Sequence, residues 1–283
     1  MTHLTSRDEG RVRVLAFDRP EKLNAISVDM AVALTRALRA AASERLFGAV
    51  VLTGAGGNFS AGGDVRSILD TIADTDSFAE AGLMAAFHDL LTEIWSSRLP
   101  VVAAVSGVAY GAAFNLAMAC DLVICSTDAR FCQVFVRRGV IPDVGATYLL
   151  PRLIGARRAK DLMLRAPVVR AERALEIGLV NEVSGDAQST LARAVEVAAE
   201  IAEYDDFVIA MTKKATNTSN DGSLQGALAL EASLQTAALL RSGAASGFAE
   251  FGAPDSPPER GSSIRSPRRP RVVTGPGCST HKE

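Results

Sequence analysis

Two glycine-containing turns hold the backbone groups best suited to chemistry. The first turn is residues 59–64, with the sequence FSAGGD, and the second opens the run 107–121. Each turn follows an apolar strand pattern and precedes a helical pattern, so amide N–H groups are left at the helix start without a helical acceptor. Free amides at such turns bind anions. Alone, each turn is explained as well by a helix cap at Asp64 or by tight core packing. Together they predict two amides directed at one oxygen.

Three other patterns that suggest chemistry are incomplete. The Gly-x-Gly at residues 54–56 would begin a dinucleotide-binding motif, but Phe59 replaces its third glycine, and no P-loop lysine follows. The histidines His3, His88 and His281 lie far apart, so neither a zinc site nor a Ser-His-Asp triad is expected. The four cysteines form no Cys-x-x-Cys pair, and we expect them to be free thiols. No metal site is therefore predicted.

The composition of the whole chain excludes several classes of partner. It has 30 basic and 32 acidic residues and a net charge of −2, which is not the footprint of a nucleic-acid-binding protein. The longest apolar runs, 101–105 and 111–120, are too short to cross a bilayer. Residues 1–10 are polar and lack the apolar centre of a signal peptide. The sequence predicts a cytoplasmic protein with no nucleic-acid or membrane partner.

The elements that must hold the two turns alternate between strand and helix. The predicted strands are 11–17, 48–53, 101–105 and 121–125, and the predicted helices among them are 27–40, 79–97 and 107–119. This alternation indicates an α/β fold. We expect a core over residues 1–190, a helical C-terminal region over 191–242 and a disordered tail over 243–283, which is rich in Pro, Arg, Ser and Gly.

Five motifs follow one another in a recognisable order. They are RPEKLNA at 19–25, FSAGGD at 59–64, the run 107–121, GVIPDVG at 139–145 and AERALEIGLVN at 171–181. This set resembles the enoyl-CoA hydratase/isomerase (crotonase) superfamily in both order and spacing, and the resemblance covers roughly residues 8–240. It implies a crotonase-like spiral of ββα units with a helical C-terminal trimerisation region, and therefore a homotrimer or a dimer of trimers.

The resemblance also implies a site for an acyl-CoA thioester, which is a substrate and not a permanently bound cofactor. The backbone N–H groups of Ala61 and Ala112 are implied to form an oxyanion hole for the thioester oxygen, where such donors stabilise an enolate. The residues implied to contact the substrate or its coenzyme A moiety are Lys22, Leu23, Ala25, Ala61, Gly63, Asp64, Val65, Gly111, Asn115 and Phe135.

The reaction implied by the resemblance depends on three positions. Hydratases of the family activate water with two glutamates, and Asn115 and Phe135 occupy those two positions here. The nearby carboxylate is Asp143. Either it is an ordinary turn residue in the sequence PDVG, or it is the single acid and base of an isomerase, as in the similar isomerases of phenylacetyl-CoA degradation. We expect an enoyl-CoA isomerase. A hydratase (lyase) of the same fold and a non-catalytic acyl-CoA-binding protein are the alternatives.

Overall fold

The structure is a computed structural model of the 283-residue chain. It describes residues 3–73, 83–219, 221–241, 243 and 247–249. The chain divides into two compact units, Met1–Ala238 and Leu239–Glu283, and the first contains all the elements that concern the site. Most of the predicted tail at 243–283 lies outside the described residues, so its disorder stays a prediction. The predicted boundaries at 190 and 242 stay predictions as well.

Two β-sheets organise the first unit. The strands are β1 (Leu4–Glu9), β2 (Val12–Phe17), β3 (Ala49–Gly54), β4 (Val101–Val105), β5 (Val108–Tyr110), β6 (Leu122–Cys125), β7 (Arg130–Cys132), β8 (Val169–Arg170) and β9 (Glu182–Val183). The larger sheet has the order β1-β2-β3-β4-β6-β9 and is parallel except for the antiparallel β1–β2 pair. The smaller sheet has the order β5-β7-β8, with β5 parallel to β7.

Helices follow most of these strands, as the predicted α/β alternation requires. Within the described residues the α-helices are α1 (Val28–Ser43), α2 (Val65–Ala73), α3 (Leu83–Ser96), α4 (Ala112–Ala119), α5 (Ala146–Ile154), α6 (Ala156–Arg165), α7 (Ala171–Glu176), α8 (Ala187–Ala202), α9 (Asp206–Ser219) and α10 (Leu224–Leu239). Two short 3₁₀ helices occupy Pro20–Lys22 and Val134–Arg138.

The central strands are apolar on both faces because helices cover both faces of the larger sheet. Every residue of β4 is buried, as is typical of a parallel strand between two helical layers. On one face, α8 presents small alanines that allow a close approach. A Cβ atom added to Gly48, just before β3, would lie only 2.7 Å from the Cβ of Ala202. On the other face, α1 and α3 pack against each other and against the main hydrophobic core.

Several local predictions are confirmed, and some boundaries move. The helix predicted over 27–40 is α1, which Ser27 caps by accepting the N–H of Met30 and which continues to Ser43. The turn and helix predicted over 107–119 include the short strand β5, so the helix itself begins at Ala112. The N-terminal part of the helix predicted over 79–97 lies outside the described residues. The strand β1 was not predicted, because its sequence LTSRDE has no apolar alternation.

The C-terminal helices are attached to the core by a buried lysine. The Nζ of Lys213, on α9, donates to the carbonyl oxygens of Ile94 and Leu99 and lies 2.7 Å from an Asp121 carboxylate oxygen. By contrast, no residue of α10 is buried. In the part of the chain that the structure describes, no helix is long and apolar enough to cross a membrane. The same part contains no group of acidic, histidine or cysteine side chains arranged to hold a metal ion.

Candidate active site

The turn that follows β2 is held against the loop after β3 by one asparagine. Asn24 is fully buried and has a left-handed backbone, with φ of +56°. Its Nδ2 donates to the carbonyl oxygens of Ala55 and Asn58, at 2.8 and 2.7 Å. Its Oδ1 accepts the N–H of Arg19 at 2.9 Å. These bonds leave Leu23 at the surface with 46% of its area exposed, as a contact to a bound coenzyme A would require.

The first glycine turn, residues 59–64, lies between the turn after β2 and strand β5. On one side, Ser60 forms a parallel bridge with Ala109. On the other side, the N–H of Ile26 donates to the carbonyl of Gly62 and the N–H of Asp64 donates to the carbonyl of Ile26. Backbone pairing on both sides therefore fixes the orientation of each amide in the turn.

This pairing contradicts the predicted donor role of Ala61. The N–H of Ala61 already donates to the carbonyl of Leu23 at 2.8 Å, so it is not available to a substrate oxygen. Two residues further along, the N–H of Gly63 has no acceptor within the described residues. The sequence could not separate these two positions, because the acceptor for Ala61 comes from a different turn.

The second free amide belongs to Ala112, the first residue of α4. Its N–H has no acceptor within the described residues, as expected for the first position of a helix. The two turns are in close contact at Gly62, whose φ is +97°. A Cβ atom added there would lie 2.6 Å from the carbonyl oxygen of Tyr110 and 3.6 Å from the nitrogen of Ala112. A glycine at position 62 thus lets the Gly63 and Ala112 amides approach each other.

The carboxylate of Asp64 is engaged by the protein itself, and the predicted contact of this residue with the coenzyme A moiety stays a prediction. Its carboxylate forms an ion pair with Arg19 and accepts the N–H of Arg66 at the start of α2. Burial favours a higher pKa for Asp64, but the hydrogen bonds from Arg19 and from the Arg66 amide outweigh it and lower the pKa. The side chain is only 9% exposed, and it fastens the glycine turn to the turn after β2. Val65, next to it, is 49% exposed.

Asn115 lies on α4 in a buried chain of hydrogen bonds. Its Oδ1 accepts from the Nε2 of Gln133 at 2.6 Å, and its Nδ2 donates to the backbone carbonyl of Asp143 at 2.9 Å. Both Asn115 and Gln133 are fully buried. Asn115 was predicted to contact the substrate, whereas its amide is bonded to protein groups at both ends. Gln133 was not singled out from the sequence, where nothing marks it as a partner of Asn115.

Asp143 combines burial with a free acceptor atom. Its Oδ1 is buried and has no hydrogen-bond partner within the described residues. Loss of hydration on burial raises the pKa of Asp143 to about 6, although the nearby His88 favours the charged form. A carboxyl group with such a pKa takes up and releases protons readily near neutral pH. A hydrogen bond from its own backbone N–H also favours the charged form of Asp143, as in a turn residue, but burial outweighs it.

Phe135 stands beside the N-terminal end of α4. Its ring lies 3.7 Å from the position that a Cβ atom on Gly111 would occupy, and the residue is 7% exposed. Gly111 caps α4 with a positive φ of +54° and donates its N–H to the carbonyl of Cys132. An apolar ring thus borders the free amide of Ala112, with no acid or base at this position.

The predicted site residues form two neighbouring groups. The group around the turn after β2 and the first glycine turn consists of Lys22, Leu23, Ala25, Ala61, Gly63, Asp64 and Val65. The group around the start of α4 consists of Gly111, Ala112, Asn115, Phe135 and Asp143. The contact between Gly62 and Ala112 joins them. Together they present two free amides and one desolvated carboxyl, which is a set that suits the stabilisation of an enolate and the transfer of a proton.

Known proteins are similar to this chain along most of their length. The family profile described as enoyl-CoA hydratase/isomerase matches residues 7–253. The chain belongs to the enoyl-CoA hydratase/isomerase family. A relative from Rhodobacter capsulatus, named probable enoyl-CoA hydratase, is 40% identical over 225 residues, covering 78% of this chain and 84% of the relative. The 1,2-epoxyphenylacetyl-CoA isomerase of Escherichia coli is 33% identical over 238 residues, covering 83% and 89%.

A solved structure supports the same assignment at the level of the fold. The crystal structure of an enoyl-CoA hydratase from a Polaromonas species superposes with a TM-score of 0.84 at 30% identity, covering 90% of this chain and 98% of that one. The predicted α/β crotonase fold is therefore confirmed. Membership of the enoyl-CoA hydratase/isomerase family makes the chain an enzyme that acts on acyl-CoA thioesters. The 1,2-epoxyphenylacetyl-CoA isomerase of Escherichia coli supports the particular link to the isomerases of phenylacetyl-CoA degradation only weakly.

Proposed function

We propose that the protein is an enoyl-CoA isomerase that moves a double bond from C3 to C2 with Asp143 as its only acid and base. One observation carries the proposal: Asp143 is a desolvated carboxyl with an unpartnered oxygen, tied by Asn115 to the helix that begins with the free Ala112 amide. The carboxyl has no basic side chain bonded to it among the described residues, so it is free to exchange a proton.

The substrate is proposed to lie across the two glycine turns. The amides of Gly63 and Ala112 donate to the thioester oxygen, and this replaces the predicted pair of Ala61 and Ala112. The coenzyme A moiety runs past the exposed side chains of Leu23 and Val65, which flank the first turn. Lys22 is also exposed there and supplies a positive charge for the phosphates. Removing one amide donor from such a hole typically lowers the rate about 100-fold or more.

The proton movements balance with one carboxylate. Asp143 removes a proton from C2 of a 3-enoyl-CoA, and the electron pair moves into a dienolate whose oxygen accepts hydrogen bonds from the two amides. The protonated Asp143 then returns the proton to C4, the C2–C3 double bond forms, and the oxygen becomes a carbonyl again. No water and no cofactor enter the equation. The ring of Phe135 helps to exclude water, which protects the dienolate and strengthens the hydrogen bonds to it.

Hydration is the second candidate, because many relatives are named hydratases, including the Rhodobacter capsulatus relative and the 2,3-dehydroadipyl-CoA hydratase of Escherichia coli. Hydration requires groups that activate and orient a water molecule. At the two positions where hydratases of the family carry glutamates, Asn115 is bonded to protein groups at both ends and Phe135 has no ionisable group. These two residues favour isomerisation.

Product analysis separates the candidates. Purified protein is mixed with 3-hexenoyl-CoA, and the products are followed by chromatography and mass spectrometry, with Asp143→Asn as the paired variant. Isomerisation gives 2-hexenoyl-CoA at unchanged mass, and the variant should lose about 100- to 10,000-fold in rate. A product heavier by one water would indicate hydration. Full activity in Asp143→Asn refutes the proposal, and tight binding without turnover indicates an acyl-CoA-binding protein.

We also propose that the chain assembles as a homotrimer, alone or as a dimer of trimers. The support is that α10 buries none of its residues, and that α9 and α10 border a groove of about 590 Å³ lined by apolar side chains such as Met211, Leu228 and Leu234. Light scattering during size-exclusion chromatography measures the assembly mass. A monomer at micromolar concentration would refute this part of the proposal.

A further inference from the structure

The segment that carries Asp143 adopts a backbone that its own sequence disfavours. Val144 has φ of +44° and Gly145 has φ of +73°. Positive φ is an outlier for a β-branched residue such as valine, and it persists only where surrounding contacts impose it. The position of the Asp143 carboxyl therefore depends on contacts from other elements and not on local preference.

A hydrogen bond donated by Asn115 reaches this backbone from another element. The Asp143 carbonyl oxygen accepts two hydrogen bonds, from the Ala146 N–H at 3.0 Å and from Asn115 Nδ2 at 2.9 Å. The first is local to the start of α5, and the second comes from α4. Both leave the Asp143 carboxyl untouched, so the backbone is fixed while the reactive group stays free.

One helix carries both the free amide and the tie to the carboxyl. Asn115 is three residues after Ala112 in α4. A helix rises 1.5 Å per residue, so the two positions are separated by about 4.5 Å along its axis, and this spacing does not change unless the helix does. The distance from the Ala112 amide to the Asp143 backbone is therefore set by a rigid element. Enzyme rates are sensitive to such distances, since a displacement of about 1 Å can cost about 100-fold in rate.

Gln133 and the Asp143 carbonyl together select one orientation of the Asn115 amide. The carbonyl can only accept, so Asn115 presents Nδ2 to it, and Gln133 Nε2 donates to the Asn115 Oδ1 on the other side. If the Asn115 amide were reversed, its NH₂ group would meet the NH₂ group of Gln133, and two donors would face each other. The Oε1 of Gln133, however, is buried and unpartnered within the described residues. A buried, unpartnered polar atom destabilises the fold, whereas an apolar side chain of similar volume would fill the same space without this cost. Packing alone therefore does not explain a glutamine at this position.

We propose that Gln133 and Asn115 are positioning residues that hold the Asp143 carboxyl at a fixed distance from the Ala112 amide. The inference rests on the proposed function, in which Asp143 moves a proton between two carbons of a substrate held by that amide. Neither positioning residue contacts the substrate. Their contribution should therefore appear in kcat and not in KM.

The decisive variant replaces both residues with apolar side chains of similar size, Asn115→Leu with Gln133→Met. Removing both partners of a buried hydrogen bond can be nearly neutral for stability. We expect kcat to fall at least about 10-fold, KM to stay within about 2-fold, and the thermal midpoint to be retained. Wild-type kcat in the folded double variant overturns the inference. Gln133→Met alone, which keeps the Asn115 tie, is the milder variant if the double variant fails to fold, and it should lower kcat without changing KM.

A matched control tests the effect of disturbing the core in general. Cys125→Ala truncates a fully buried side chain on β6, at a position outside the site. It should lower the thermal midpoint and leave kcat unchanged. If Cys125→Ala lowers kcat as much as the double variant does, the loss reflects general destabilisation, and the positioning role is refuted.

An assay that does not depend on turnover distinguishes failure of this inference from failure of the proposed function. Wild-type protein that does not isomerise 3-hexenoyl-CoA refutes the function. Even then, the pKa of Asp143 depends on how deeply its carboxyl is placed in the protein. This pKa can be measured by NMR of carboxyl-labelled aspartate, with the resonance assigned by its loss in Asp143→Asn. His88 of α3 acts electrostatically on this carboxyl and lowers its pKa, against the effect of burial. A loosened loop admits water, so the pKa of Asp143 should fall toward its usual value in the double variant. An unchanged titration contradicts the positioning role.

Discussion

Asp143→Asn should make the folded protein more stable, by an amount that depends on pH. Burial raises the pKa of Asp143 from 3.8 to about 6, and the attraction of His88 offsets only part of that rise. The folded state therefore binds the proton more tightly than the unfolded state. Folding becomes less favourable as pH rises from 3.8 to about 6, and the full cost persists at higher pH. Asparagine does not ionise, so the variant escapes this cost.

The size of the effect follows from the shift. A change of one pKa unit corresponds to about 1.4 kcal/mol, so a rise from 3.8 to about 6 sets an upper limit of ~3 kcal/mol. Asp143 keeps some contact with solvent, and screening reduces the expected value to about 1–2 kcal/mol. The stability of the variant relative to wild type should thus grow by that amount between about pH 4 and about pH 8.

Urea unfolding at a fixed protein concentration measures this difference at both pH values. Using the change between two pH values removes the constant contribution of exchanging a carboxyl for an amide. Asp186→Asn is the control of opposite sign. Hydrogen bonds from Ser189 to the Asp186 carboxylate lower its pKa, so that group stabilises the fold above its usual pKa and loses this effect as pH falls. If the difference in unfolding free energy between Asp143→Asn and wild type is the same at both pH values, Asp143 is not a desolvated carboxyl in the folded protein.

Three further predictions concern rate and stability. The value of kcat/KM for isomerisation should rise with pH through about 6 and then level off, because Asp143 must be ionised to act as a base. A flat pH profile between about 5 and 8 would contradict that role. Gly62→Ala places a Cβ atom 2.6 Å from the Tyr110 carbonyl oxygen, at a residue with positive φ, so kcat should fall about 100-fold in the steady-state assay. A wild-type rate in this variant would show that the two glycine turns need no close contact at Gly62. Lys213→Met removes the buried ammonium that pairs with Asp121, whose side chain is 23% exposed and still accepts the N–H of Val101, and should cost about 1–3 kcal/mol in urea unfolding. Adding Asp121→Asn should recover part of that loss, and an additive double variant would show that the pair is not coupled.

The fold could be predicted from the sequence because its signals are local. The apolar runs of β3 and β4 and the start of the helix predicted at residue 27 each belong to a single segment of chain. β1 was not predicted because its sequence is polar. The strand forms by pairing with β2, and no pattern within β1 indicates that partner.

The site could be predicted in its parts but not in its connections. The sequence identified the glycine turns and Asp143, since residue types at motif positions are visible in one dimension. The donor was misplaced at Ala61 because its bond to Leu23 joins residues from two different turns. The tie from Gln133 through Asn115 was missed for the same reason. Hydrogen bonds between distant segments decide which group is free, and these depend on the tertiary fold.

The two edges of the larger sheet have a consequence for the behaviour of the protein at high concentration. An exposed strand edge is a template for pairing with another chain, and it leads to aggregation when the edge is long and apolar. One edge is β1, whose exposed residues Arg7, Asp8 and Glu9 carry charges of both signs. The opposite edge is β9, which is only two residues long. Both edges are therefore poor templates for amyloid-like growth. The buried apolar strands between them are protected from intermolecular pairing as long as β1 and β9 remain paired with their neighbours.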